Sequence, residues 1–216
     1  MKHAQQGLSK HQVRIIGGQW KRTPLTVLNA EGLRPTPDRV RETVFNWLDH
    51  QIHGQWQTLA CLDLFVGSGA LGFEAGSRGA ASVLMNEWVS AVHAQLVRTK
   101  EKLSATNIEI RRADALALVK LLLNQKSSFN LIFLDPPFHQ NLLEKLLPAC
   151  RSLLAPQGLL YVEAEYALPF NDEAGSSEAE VSWCAGWQLV RCDKAGSVFY
   201  HLLQAKVLEN EEQNLG

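Results

Sequence analysis

The sequence predicts an α/β protein: a mostly parallel seven-stranded sheet that ends in a C-terminal antiparallel hairpin, preceded by a small N-terminal extension of short strands and a helix. Three observations predict it. From about residue 58 apolar strand-like runs alternate with helical patterns through five repeats, which calls for a parallel sheet covered on both faces. After Gly186 two strand-like runs follow each other with no room for a helix, so they pair antiparallel. Before residue 56 the apolar runs are short and the composition is basic.

The elements follow in order. Val13–Ile16 and Leu25–Leu28 read as two short strands around Gly17-Gly18 and Thr23-Pro24. Gly32 to Pro37 reads as a loop. A helix follows, with Thr36 as N-cap, Pro37 at its first position and Val40, Val44, Trp47 and Leu48 on one apolar face. Leu59–Val66 is the first buried strand; the glycine-rich turn 67–72 leads to a helix ending near Arg78-Gly79. Ser82–Glu87, Ile108–Arg112, Leu131–Asp135 and Leu159–Ala164 are the next four strands. Helices over about 89–104, 115–123 and 142–154 separate them, the last closed by Pro156 and Gly158. Gln188–Cys192 and Val198–Gln204 form the hairpin across the turn Asp193–Ser197. Five parallel strands and a terminal hairpin are the layout of the class I, Rossmann-like methyltransferase fold. The expected division is a basic extension over 1–55, a catalytic domain over 56–206 and a disordered tail over 207–216. Residues 171–180, acidic and small, read as a mobile loop.

The 216 residues suit one domain with an extension. No stretch approaches the ~18 apolar residues of a membrane span, and the N-terminus lacks a signal-peptide run, so a cytoplasmic protein without a membrane partner is expected. Cys61, Cys150, Cys184 and Cys192 form no CxxC pair and read as reduced, buried thiols; the scattered histidines, His50 and His53 included, complete no metal site. The net charge of −1 hides an asymmetry. Residues 1–50 carry eight Lys/Arg against four acids, whereas residues 171–216 carry three against eight. A basic first quarter suits a polyanion, although a solvated surface explains it as well.

Two motifs carry chemistry. The first strand runs into Asp63-Leu-Phe-Val-Gly67-Ser68-Gly69-Ala-Leu-Gly72, a G-x-G-x-x-G between strand and helix, and Glu87 ends the next strand 20 residues after Gly67, where an acid can accept both hydroxyls of a ribose. A nicotinamide oxidoreductase shares these features. Asp63 argues against one, because a carboxylate there would repel a diphosphate but attract the ammonium and sulfonium of S-adenosylmethionine. Asp114, just after the third strand, borders the expected adenine pocket and can also serve as a plain N-cap.

The fourth strand ends in Asp135-Pro136-Pro137-Phe138, facing the same crevice. Two prolines remove donors and stiffen the loop, leaving the Asp135 carboxylate and the Pro136 carbonyl as fixed acceptors. Together they can hold both hydrogens of an exocyclic amine, freeing its lone pair for attack on a sulfonium methyl group. Phe138 offers the base a stacking face.

With Arg14–Trp20 (R-I-I-G-G-x-W), Gly32–Thr43 (G-L-R-P-T-x-D-R-V-R-E-T), Asp63–Gly72 and Asp135–Phe138, the chain from Val13 to about Gln204 resembles the bacterial 16S ribosomal RNA guanine-N2 methyltransferases of the RsmD type. That resemblance implies methylation of the N2 amine of guanine 966, in small-subunit RNA numbering, on an assembled particle by a monomer. It implies further that the basic segment grips RNA or helps close the cofactor site, with Lys21, Arg22, Arg34, Arg39 and Arg41 as candidates, and that Thr36 touches the cofactor's carboxylate end. Trp88 and Val89, which follow Glu87, depart from the acid expected next. The rival readings are a DNA adenine or protein glutamine methyltransferase, a nicotinamide oxidoreductase and a non-catalytic RNA-binding assembly factor.

Overall fold

The computed structural model describes residues 12–28, 37–170 and 182–206. Two short strands open it, β1 (Gln12–Arg14) and β2 (Pro24–Thr26), paired antiparallel. Helix α1 (Asp38–Gln51) leads to the main body: β3 (Ala60–Asp63), α2 (Ala70–Ser77), β4 (Ser82–Asn86), α3 (Ser90–Leu103), β5 (Ile108–Arg111), α4 (Ala115–Asn124), β6 (Phe129–Leu134), α5 (Leu142–Leu153), β7 (Leu154–Ala164), β8 (Trp187–Ala195) and β9 (Val198–Ala205). The large sheet has the order β5-β4-β3-β6-β7-β9-β8. Its first five strands are parallel, and β9 runs antiparallel to both β7 and β8. The strand order reverses between β3 and β6, so the crevice outside their carboxyl ends is the place where such sheets bind ligands.

Strand alternation builds two cores. Cys61, Met85, Leu131, Phe133, Tyr161 and Leu202 point to one face, where α1, α2, α3 and the extension pack. Leu62, Leu84, Ile132, Leu134, Val162 and Leu203 point to the other, covered by α4 and α5. Apolar runs with no polar alternation are what burial on both faces requires. The extension shares the first core through Val13, Ile15 and Leu25, and α1 ties it down through Phe45 against Phe133 and Trp47 stacked on Tyr200.

Several boundaries differ from the expectation. Pro37 is itself the N-cap of α1 (φ −57°, ψ 148°) and the helix starts at Asp38; Thr36 lies outside the described residues, as do Arg34, the 171–180 segment and the tail. Pro156 and Gly158 do not close α5. Leu154 already pairs with Phe129, the register shifts, and Leu159 pairs with Leu131, so β7 passes through an irregularity. The hairpin turn is only Gly196-Ser197, because strand pairing continues to Ala195 and Val198. Cys61, Cys150 and Cys184 are buried, but Cys192 is exposed on β8. Among the described residues no helix is long and apolar enough to cross a membrane, and no group of three His, Cys, Asp or Glu could hold a metal.

Candidate active site

The glycine-rich turn closes the crevice on one side. Gly67 and Gly69 adopt positive φ (51° and 83°), which L side chains rarely tolerate. Gly72 serves packing: a Cβ there would meet the Met85 side chain at 2.8 Å, so its absence lets α2 sit close on β4. Ser68 stands half-buried beside the turn. Asp63, at the tip of β3, is buried, and its Oδ2 accepts from the Gly72 N–H at 3.0 Å. Burial pushes this carboxyl up to about 7. The Gly72 and Phe65 N–H groups oppose the shift, and the nearby Glu87 charge adds to it.

Glu87 follows β4 and turns back across the crevice. Its Oε2 accepts from Gly67 N at 3.1 Å and its Oε1 from Val89 N at 2.7 Å. A carboxylate offers about four lone-pair sites, so both oxygens keep capacity for a hydroxyl. Asp114 is exposed and caps α4, accepting from Ala117 N at 2.9 Å; it too retains acceptor capacity. Asn86, which the sequence analysis did not single out, fastens the strand tips together. Its Nδ2 donates to the carbonyls of Leu64 and Ala113, and its Oδ1 accepts from Ala113 N, so one buried amide bridges the ends of β3, β4 and β5.

Asp135 follows β6 directly. Burial, then the charges of Glu163 and Asp63, hold its carboxyl well above the ordinary range. No hydrogen bond from a described side chain reaches it. Pro136 is buried, Pro137 exposed and Phe138 half-buried. Pro136 to Leu143 and Glu163 to Tyr166 line a cleft of about 290 Å³. Its loop is shaped by two non-glycine residues at positive φ, His139 and Asn141. His139 is anchored through its N–H and its ring to the Glu165 carboxylate. Glu163, also absent from the sequence expectations, is buried at the tip of β7 and accepts from the Tyr161 hydroxyl at 2.8 Å.

Asp63, Asp135 and Glu163 thus crowd one end of the sheet, and the charges of Glu163 and Asp63 both raise the proton affinity of Asp135. Ionising such a set costs less when a cation sits among them. A donor carrying an ammonium and a sulfonium fits that field; a diphosphate does not.

The N-terminal motif is placed next to this site. A second cleft of about 260 Å³ lies between Thr26–Leu28 at the end of β2, the turn residues Gly67 and Ser68, and α3. The extension is docked on α2, the helix that springs from the glycine-rich turn. Glu74, fully buried, accepts from Ile16 N (2.6 Å), Gly17 N (2.8 Å) and Arg78 Nε (2.8 Å). Ser77 accepts from Trp20 N and donates to the Gly17 carbonyl. A Cβ at Gly18 would lie 1.9 Å from the Ser77 carbonyl oxygen, which is why glycine stands there. Lys21, Arg22 and Arg39 are exposed, as an RNA contact needs. Arg41 is a correction: it is 0% exposed, donating to the Arg14 carbonyl and to Asp38, and has no surface to offer a phosphate.

Residues 13–204 match the family described as Conserved hypothetical protein 95. The chain is 40% identical to ribosomal RNA small subunit methyltransferase D of Haemophilus influenzae, over 94% of this chain and 100% of that protein. It is similar to the solved structure of Escherichia coli yhhF, with a TM-score of 0.72, 40% identity, and coverage of 91% of this chain and 99% of that one. It shares its fold with a methyltransferase structure, SMU.776, complexed with SAH, at a TM-score of 0.61 and 14% identity, covering 84% of this chain and 53% of that one.

Proposed function

This chain belongs to the Conserved hypothetical protein 95 family, that of the ribosomal RNA small subunit methyltransferase D proteins, and on that premise we propose that it uses S-adenosylmethionine to methylate 16S ribosomal RNA at the N2 amine of a guanine, guanine 966, acting as a monomer on the small-subunit particle. The observation that carries this reading is the Asp135-Pro-Pro-Phe138 segment at the tip of β6, beside the glycine-rich turn and within a field of buried carboxylates.

Gly67, Ser68 and Gly69 give the donor a close backbone approach; Asp63 faces its ammonium, Glu87 its ribose and Asp114 its adenine amine. Thr36 is assigned to its carboxylate end. When bound, the donor supplies a methyl group activated by a positive sulfur. Asp135 and the Pro136 carbonyl accept the two N–H hydrogens of the base's amine and turn its lone pair out of the ring. Pro137 keeps the loop stiff and Phe138 stacks on the base, a contact worth about 1–3 kcal/mol. Forming the new N–C bond would break the methyl group's bond to sulfur and leave a neutral thioether, and the proton that the nitrogen sheds goes to Asp135, with its raised proton affinity. Lys21, Arg22, Arg34 and Arg39 neutralise RNA phosphates at the rim.

The test is transfer of labelled methyl groups to small-subunit particles, naked ribosomal RNA, DNA and protein, followed by nucleoside mapping. Label is expected as N2-methylguanosine in ribosomal RNA. Label confined to DNA or protein would overturn the reading, and label on another nucleoside would overturn its guanine-N2 part.

A further inference from the structure

We propose that Glu163 selects guanine, accepting the N1–H of the target base while Asp135 holds the neighbouring N2 amine; this inference rests on the guanine-N2 reading. The register places the two acids side by side. Leu134 on β6 pairs with Val162 on the parallel strand β7, so the residues one step further, Asp135 and Glu163, stand at adjacent strand tips. Neighbouring strands are about 4.8 Å apart. Alternation turns both side chains away from the Leu134 and Val162 core, toward the face of Phe133 and Tyr161. Asp63, opposite Phe133 in the pairing of β3 with β6, shares that face. Glu163 lines one cleft with Pro136, Pro137 and Phe138, the residues that follow Asp135, and with Tyr166, which is 38% exposed.

The chemistry of the base edge decides what such a pair recognises. Guanine presents two adjacent donor groups, the N1–H and the N2 amine. Adenine beside its N6 amine presents the N1 lone pair, cytosine beside its N4 amine presents the N3 lone pair, and a glutamine amide presents a carbonyl oxygen. A lone pair directed at a carboxylate is repelled, and two neighbouring carboxylates fit only the donor–donor edge. Tyr161 keeps Glu163 in the accepting role. Burial and the Glu163 charge hold its phenol well above the usual range, so the hydroxyl remains a donor to Oε1. Tyr161 occupies one of about four lone-pair sites of the carboxylate, on Oε1.

The experiment compares guanine with 2-aminopurine at the target position of a synthetic 16S fragment, naked and assembled into small-subunit particles. 2-Aminopurine keeps the amine at C2 but carries a lone pair at N1. The full-length enzyme is expected to prefer guanine by at least about 10³-fold in kcat/KM, because a buried acceptor facing an acceptor is costly. Glu163→Gln is expected to lower the guanine rate about 10²-fold and shrink the preference to within about tenfold, since the amide can turn its NH2 toward N1. Its affinity for S-adenosylmethionine, read by calorimetry, should fall far less than the guanine rate, since Asp63 still faces the ammonium. Tyr161→Phe, which keeps the core but removes the anchoring hydroxyl, should relax the preference in the same direction and serves if Glu163→Gln does not fold. Label on guanine N2 with the same preference in wild type and variants overturns the Glu163 assignment and leaves the guanine-N2 reading standing. Label on a base other than guanine overturns both.

Discussion

Two parts of this molecule bury carboxylates, and they do so in opposite ways. At the dock between the extension and α2, Glu74 is surrounded by donors: two backbone N–H groups and the Arg78 guanidinium, itself paired with Asp49 and laid over the Phe45 ring. At the strand tips the charges of Glu163 and Asp63 bear on Asp135, and no cationic side chain of the described residues is among the causes that shift Asp135 or Asp63. The first arrangement is complete within the chain and holds structure. The second is left in electrostatic tension that a cationic ligand and a proton-donating base relieve. A buried acid is therefore informative about function when like charges neighbour it, not merely when it is buried.

The largest expected effect separates the two directly. Asp135→Ala should cut methyl transfer by at least about 10³-fold while S-adenosylmethionine binding and the melting temperature hold; tritium transfer and calorimetry on the same preparation check it. Equal losses of binding and turnover would make Asp135 a structural residue like Glu74. Glu74→Ala should do the reverse, destabilising by about 3–5 kcal/mol in urea unfolding because it leaves two N–H groups unpaired and takes one of its two carboxylate partners from Arg78. Gly18→Ala, at φ 72° and 1.9 Å from a carbonyl, should loosen the same dock. If Glu74→Ala leaves stability intact, the contrast between the two regions fails.

A smaller effect sharpens the picture of the strand tips. Asp63 has a folded-state pKa of about 7 against ~3.9 unfolded. Between those values the folded state binds more protons, so the ligand-free protein should lose stability as pH rises from about 4 to 7. A bound cation favours the ionised form. Binding of S-adenosylmethionine at pH 6 should therefore release protons and tighten toward pH 8. Calorimetry in two buffers of different ionisation enthalpy measures the release, and Asp63→Asn should weaken it. The smallest effect lies at the rim: Lys21→Ala or Arg22→Ala should weaken RNA binding a few-fold and reduce the salt dependence by about one counterion each.

Much of the fold was legible because strands buried on both faces write themselves as unbroken apolar runs, and the glycine-rich turn and Asp-Pro-Pro-Phe segment punctuate the strand ends. What stayed hidden depends on partners distant in the chain. Arg41 looks like any helix-surface base until Asp38 and the Arg14 carbonyl close around it. Glu74 sits in an ordinary helix, and only the fold brings Gly17 to it. Glu163 acquires meaning from a register with β6 that no local pattern records. Pro156 and Gly158 read as stops because the irregularity that carries β7 past them is set by Phe129 across the sheet.

Asn86 shows how narrow the tolerance around such a mouth is. Two carbonyls demand hydrogens from it while one peptide N–H demands an oxygen. The carboxylate of the same shape answers only the last demand, and it would bring another negative charge next to Glu87. Loss of a single nitrogen at this position, the ordinary outcome of amide hydrolysis with age, would pry three strand ends apart and add to the repulsion already stored between the acids they carry.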